Sequence, residues 1–141
     1  MPSRALTDEQ IENCFAVLAE LRPHLQRGDF LTTLRAMAED GYKLAYIAEQ
    51  GGVVAVADYR IDSNVLMGKP LYVDDLVTTE QARSGGCGQR LLSWLREQAK
   101  AEACQVLHLD SGTQRPDAHR FYFREGMNIA SFHFSQRLNQ P

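Results

Sequence analysis

Three glycines fall within four positions in Arg83-Ser84-Gly85-Gly86-Cys87-Gly88, and a helical run from about Gly88 follows at once. A helix N-terminus leaves backbone N–H groups without partners and carries partial positive charge. Glycines ahead of it let the backbone close around an anion, so a strand, a glycine loop and a helix in that order form a natural phosphate cradle. Arg83 and Arg90 flank the loop and add charge. A plain strand-to-helix turn that needs glycine for its φ freedom is the other reading. A mononucleotide loop requires Gly-Lys-Ser/Thr, which is absent, and Gly86-Cys87-Gly88-Gln89-Arg90-Leu91 lacks the third glycine of a dinucleotide fingerprint. His108, His119 and His133, with Asp110, lie in the last third of the chain. No two form a tight ligand pair, so no metal site is expected.

The elements that must position these residues are legible in the periodicity. Thr7-Asp8-Glu9-Gln10 reads as a capping box, and Ile11, Phe15 and Leu18 then share a helical face that Pro23 helps to end. Asp29 is expected to cap a second helix, lined by Phe30, Leu34 and Met37 and stopped by Gly41. Residues 42–49 and 53–61 read as strands joined by a hairpin turn at Gln50-Gly51-Gly52. Residues 71–79 form a third strand. After the loop comes a helix over 88–103, with Leu91, Leu95 and Ala99 at four-residue spacing, and then a buried-type strand over 106–109. Pro116 suits the first turn of another helix, Gly126 should end it, and 129–138 alternates as a final strand. Residues 71–109 have the layout of a strand–helix–strand unit with parallel strands. The expected class is α+β (mixed α/β), as a single domain over 1–141.

Composition narrows the functions. The chain of 141 residues is 44 % hydrophobic and 23 % charged, with a net charge of −3. That balance gives no long-range attraction to nucleic acid or an anionic membrane. No apolar run approaches the ~20 residues that span a bilayer, and MPSRALTDEQ lacks the apolar centre of a signal peptide. Cys14, Cys87 and Cys104 are odd in number and not at metal spacing, which fits a reduced, cytoplasmic setting.

A third pattern fits the loop. Arg83-Ser84-Gly85-Gly86-Cys87-Gly88 matches Arg/Gln-x-x-Gly-x-Gly/Ala and resembles the pyrophosphate-binding signature of the GNAT superfamily of acyl-CoA-dependent N-acyltransferases. It follows a strand, VDDLVTT, and precedes a helix with LLSWL. AHRFYFREGM resembles the family's Ala-x-x-x-Tyr-x-x-x-Gly-Phe element, with Met127 in the Phe place. The resemblance covers about residues 42–134. It implies a central mixed, mostly antiparallel sheet with a splayed parallel strand pair, flanked by about four helices.

The resemblance also implies roles. Arg83, Ser84, Gly85, Gly86, Cys87, Gly88 and Gln89 would bind the CoA pyrophosphate. Leu76, Val77 and Thr78, on a strand that usually carries a bulge, would bind the pantetheine arm, with a Leu76 or Val77 N–H facing the thioester oxygen. The reaction implied is transfer of an acetyl group from acetyl-CoA to a primary amine by direct attack on the thioester. Tyr122 stands in the place of the acid that protonates the departing thiolate, although Ala118, Phe121 and Tyr122 also share a face that reads as core. Asp74 and Asp75 sit side by side, and strand alternation sends one to each face. A carboxylate there, Asp75 or equally Asp74, could accept the amine proton or hold a cationic substrate; Asp75 is the candidate for the proton, with water as the alternative. Ser111 stands near a point where the family often has Asn. The acceptor is a small-molecule or peptide amine. A homodimer is a possible assembly, with 129–138 pairing across subunits, and the alternative function is a non-catalytic acyl-CoA-binding or sensor domain.

Overall fold

The structure, a computed structural model, describes residues 1–83 and 85–139. The chain divides into two compact units, Met1–Leu109 and a second from Asp110 onward.

The first unit is built on five strands: β1 (Ser3–Arg4), β2 (Lys43–Glu49), β3 (Gly52–Ile61), β4 (Pro70–Thr78) and β5 (Val106–Leu109). They lie side by side in chain order. The first three junctions are antiparallel, and β4 pairs with β5 in parallel. The helices are α1 (Asp8–Glu12), α2 (Phe15–Leu21), α3 (Arg27–Glu39) and α4 (Cys87–Ala101). The mixed, mostly antiparallel sheet with one parallel pair matches the expected class. The β2–β3 turn uses Gly51 and Gly52 at φ +94° and +126°, where a side chain would be strained.

The two faces of the sheet bury different helices. Leu44, Val56 and Val77 enter one core with Ile11, Val17, Leu18, Phe30 and Leu34 of α1–α3. On the other face the Tyr59 ring meets Trp94 of α4 edge-on at 6.1 Å. Leu91, Leu92, Leu95 and Ala99 form the buried stripe of α4, as their spacing requires.

Local chemistry corrects two expectations. The capping box forms, with Gln10 N–H donating to Thr7 Oγ1 at 3.1 Å and Thr7 N–H to Gln10 Oε1 at 3.0 Å. The single first helix expected from the periodicity is instead two, α1 and α2. Cys14 N–H bonds back to Ile11 O, a three-residue turn, and its thiol donates to Gln10 O. That tightening breaks the helix at Asn13-Cys14. Asp29 does not cap α3. Extended Gln26 precedes the helix, and Asp29 lies inside the first turn, where its charge complements the dipole. The short strand β1 has no counterpart in the sequence reading.

The second unit contains α5 (Pro116–Arg124), with Pro116 at its start. Gly126 ends it at φ +87°, with Met127 N–H bonded to Tyr122 O and Gly126 N–H to Phe123 O. This pair of bonds is a Schellman motif. The expected strand over 129–138 is not formed. A strand needs a ladder partner, and among the described residues this segment has none.

Candidate active site

Between β4 and α4 the chain makes one turn of 3₁₀ helix, Glu80–Ala82, and then enters the glycine loop. Glu20 of α2 ties this turn down, its carboxylate accepting from Thr79 Oγ1 at 2.5 Å and Glu80 N–H at 3.1 Å. Gly85 N–H bonds to Ala82 O at 3.2 Å, and a Cβ on Gly85 would approach that oxygen to 3.2 Å. Gly86 takes φ +82° and is the residue from which α4 departs, with no side chain capping the helix. The first amides of α4, on Cys87, Gly88 and Gln89, thus open onto a loop without side-chain bulk at Gly85 and Gly86. Ser84 lies outside the described residues.

The arginines divide their work. Arg83 Nε donates to Thr78 O at 3.4 Å and its side chain is exposed. Arg90 is engaged elsewhere, donating to Glu49 Oε2 at 3.2 Å and to the buried Cys87 Sγ at 3.1 Å. Cys87 is therefore a packed thiol at the helix start.

The strand leading into the loop has a free side. The β4–β5 ladder ends at Val73 and Leu109, while β4 continues to Thr78. Along Asp74–Thr78 the backbone groups turned away from β3 have no strand partner among the described residues. This stretch, including Leu76, Val77 and Thr78, can hydrogen-bond an extended ligand through its main chain.

A bulge interrupts the same stretch. Asp58 pairs with Asp75 and Tyr59 with Val73, so Asp74 is an extra residue on β4. Period-two alternation fails there, which corrects the expectation that Asp74 and Asp75 part to opposite faces. Asp74 accepts from Arg60 Nε at 3.0 Å and Nη2 at 2.7 Å, and Asp75 accepts from Arg22 Nε at 2.7 Å. Both carboxylates act electrostatically on Tyr42 and Asp58.

Asp58 is the site residue that sequence reasoning missed. Only 2 % exposed, it is the one charged residue type buried among the described residues. Tyr42 Oη donates to its Oδ2 at 2.6 Å. Burial, then the Asp75 charge, push the Asp58 carboxyl well above the usual range, against the pull of the Tyr42 hydrogen bond. Burial pushes Cys14 up to about 12, so it stays a thiol. The signal was available: in the stretch Val54 to Asp58, the carboxylate takes the inward place that Val56 also occupies, where an unpaired charge is rare.

In the second unit, Tyr122 is partly buried on α5, its ring 5.4 Å from that of Phe121. Burial raises its hydroxyl above the usual tyrosine range, and the Arg115 charge draws it back. His119 Nε2 lies 2.8 Å from Gly112 O, and His133 Nδ1 lies 3.7 Å from Asp110 Oδ1. Among the described residues no group of three or more His, Cys, Asp or Glu side chains is arranged to hold a metal ion. No described helix is long and apolar enough to cross a membrane.

Residues 6–127 match the Acetyltransferase (GNAT) family. The uncharacterized N-acetyltransferase YhdJ of Bacillus subtilis is 32 % identical over 128 residues, 89 % of this chain and 90 % of that protein. The aminoalkylphosphonate N-acetyltransferase of Salmonella typhimurium is 35 % identical over 66 residues, 47 % of this chain and 43 % of that one. Among solved structures, AAC(6')-Iy in complex with the bisubstrate analog CoA-S-monomethyl-acetylneamine shares the fold. Its TM-score is 0.86 at 11 % identity, over 99 % of this chain and 98 % of that one. With the family matched over most of its length and a relative aligned nearly end to end, the chain belongs to the GNAT acetyltransferase family.

Proposed function

We propose that this protein transfers the acetyl group of acetyl-CoA to a primary amine by direct attack on the thioester, the whole chain acting as one catalytic domain. The observation that carries this reading is the uncapped start of α4 behind Gly86, directly after a strand whose outer backbone edge is unpaired. An anion suits the first feature, and an extended amide-bearing chain suits the second. CoA offers both, a pyrophosphate and a pantetheine arm. Arg83, Ser84, Gly85, Gly86, Cys87, Gly88 and Gln89 bind the pyrophosphate, and Leu76, Val77 and Thr78 bind the arm.

In the step itself the neutral amine nitrogen forms a C–N bond to the acetyl carbon and the C–S bond breaks. Asp75 accepts the amine proton, and the Tyr122 hydroxyl protonates the departing thiolate. The Tyr122 hydroxyl carries its proton at neutral pH, as a tyrosine does, and so has one to give when the thiolate forms.

The free cysteines support a reducing, cytoplasmic setting. A homodimer is the assembly we infer, because Ile129, Phe132, Phe134 and Leu138 are 72, 83, 90 and 88 % exposed in a segment that alternates like a strand. The sheet also ends on β5, whose outer edge carries no strand among the described residues.

The test is incubation with acetyl-CoA and a panel of small amines, including the aminoalkylphosphonates named for a relative. CoA thiol release in step with acetylated amine is expected. Binding without turnover would assign an acyl-CoA-binding module instead.

A further inference from the structure

Asp58 sits where a charge is hardest to hold. Its Oδ2 is satisfied by Tyr42, but its Oδ1 is buried with no donor against it. Opposite it across the β3–β4 ladder stands its register partner Asp75, whose carboxyl raises that of Asp58 through its charge and a side-chain hydrogen bond. Two carboxylate oxygens bond to each other only when one carries a proton.

The surroundings supply no other solution. Cys14, at the α1–α2 junction, is an uncharged thiol that donates to Gln10 O, and Tyr42, just before β2, is the uncharged donor to Asp58. Asp74 comes from the bulge and is already held by Arg60, while Asp75 is held by Arg22. Three carboxylates thus meet two guanidiniums, and Asp58 is the one without a cation of its own. The side chain of Asp75 is 13 % exposed, so an amine or a bridging water can reach it. Asp58 is sealed off behind it.

We propose that Asp58 and Asp75 hold a single proton between them, and that Asp58 is a positioning residue that keeps Asp75 aimed and singly charged as the proton acceptor. The positioning role rests on the acetyl-transfer reading; the shared proton does not. In the resting pair Asp58 carries the proton and donates to Asp75, whose negative charge faces Arg22. The amine proton passes to Asp75 as the nitrogen lone pair forms the C–N bond and the C–S electron pair leaves with sulfur. The pair then holds two protons and returns one to solvent.

The first experiment is carbon NMR of the aspartate carboxyls in the full chain, assigned with Asp58→Asn and Asp75→Asn. The Asp58 resonance is expected at its protonated position at pH 7, and Asp75→Asn should move its titration down toward the ordinary range of about 4. An Asp58 that is fully ionised at pH 6 overturns the shared proton. This readout needs no turnover, so it stands apart from the reaction.

The second experiment is the kcat–pH profile. Asp58→Asn keeps an N–H donor toward Asp75 but cannot exchange a proton with it. The expected result is a folded protein with unchanged KM for acetyl-CoA, kcat lower by about 10–100-fold and a displaced acidic limb. A profile that overlays the parent's overturns the positioning role. If the parent turns over no amine, that role falls with the reaction while the proton pair is judged by NMR alone.

Discussion

Tyr42 Oη donates to Asp58 Oδ2 at 2.6 Å inside the core beneath α1–α3. Tyr42 ends the α3 turn and Asp58 lies mid-strand on β3, so one hydrogen bond joins the helical cover to the centre of the sheet. Tyr42→Phe keeps the ring and removes the donor, leaving a buried acceptor unsatisfied. It should lower the unfolding free energy by about 1–3 kcal/mol, read from the urea midpoint at constant slope. A shift within about 0.5 kcal/mol would mean the bond contributes nothing.

The protonated state of Asp58 makes stability depend on pH. Its folded pKa is raised, so the folded protein keeps a proton that the unfolded chain releases near pH 4. The contribution is complete below that pH and is lost as pH rises toward the folded value. Asp58→Asn removes this dependence. Its stability relative to the parent should therefore increase with pH above about 4, as measured by denaturant melts from pH 4 to 8. A constant difference would contradict a raised carboxyl.

Tyr122→Phe tests the acid. The side chain is partly buried and loses only its hydroxyl, so the fold should persist. We expect kcat to fall by about 10²–10⁴-fold with little change in the KM for acetyl-CoA. Unchanged kcat would assign Tyr122 to packing beside Phe121.

The exposed apolar segment carries a prediction about assembly. Phe132→Ser with Phe134→Ser should convert a dimer to monomer in sedimentation velocity without loss of helical signal. A parent chain that sediments as a monomer at high concentration would remove the homodimer.

What was legible in the sequence was whatever depends on neighbours in the chain. The Thr7–Gln10 box, Gly41, Pro116 and Gly126 read correctly because a cap or a turn is set by a few consecutive residues. The β4 bulge was not readable in that way. It arises from the pairing of β3 with β4, and neither strand alone shows that Asp74 is the extra residue. The same long-range pairing hid Asp58, which becomes part of a proton-holding group only once Asp75 stands opposite. The segment 129–138 failed in the reverse sense: its alternation is that of a strand, but a strand needs a second length of backbone beside it, and among the described residues none pairs with it.

Every catalytic role proposed here depends on the loop before α4 binding the pyrophosphate of CoA. Titration calorimetry with acetyl-CoA, with ATP and NAD as controls, tests it most directly. Gly86→Ala serves as the loop variant, since φ +82° penalises a side chain by about 1–2 kcal/mol even where space is open. Selective binding of acetyl-CoA that weakens in Gly86→Ala is the predicted result. Equal heats for all three ligands, or no binding of acetyl-CoA at millimolar concentration, would contradict it.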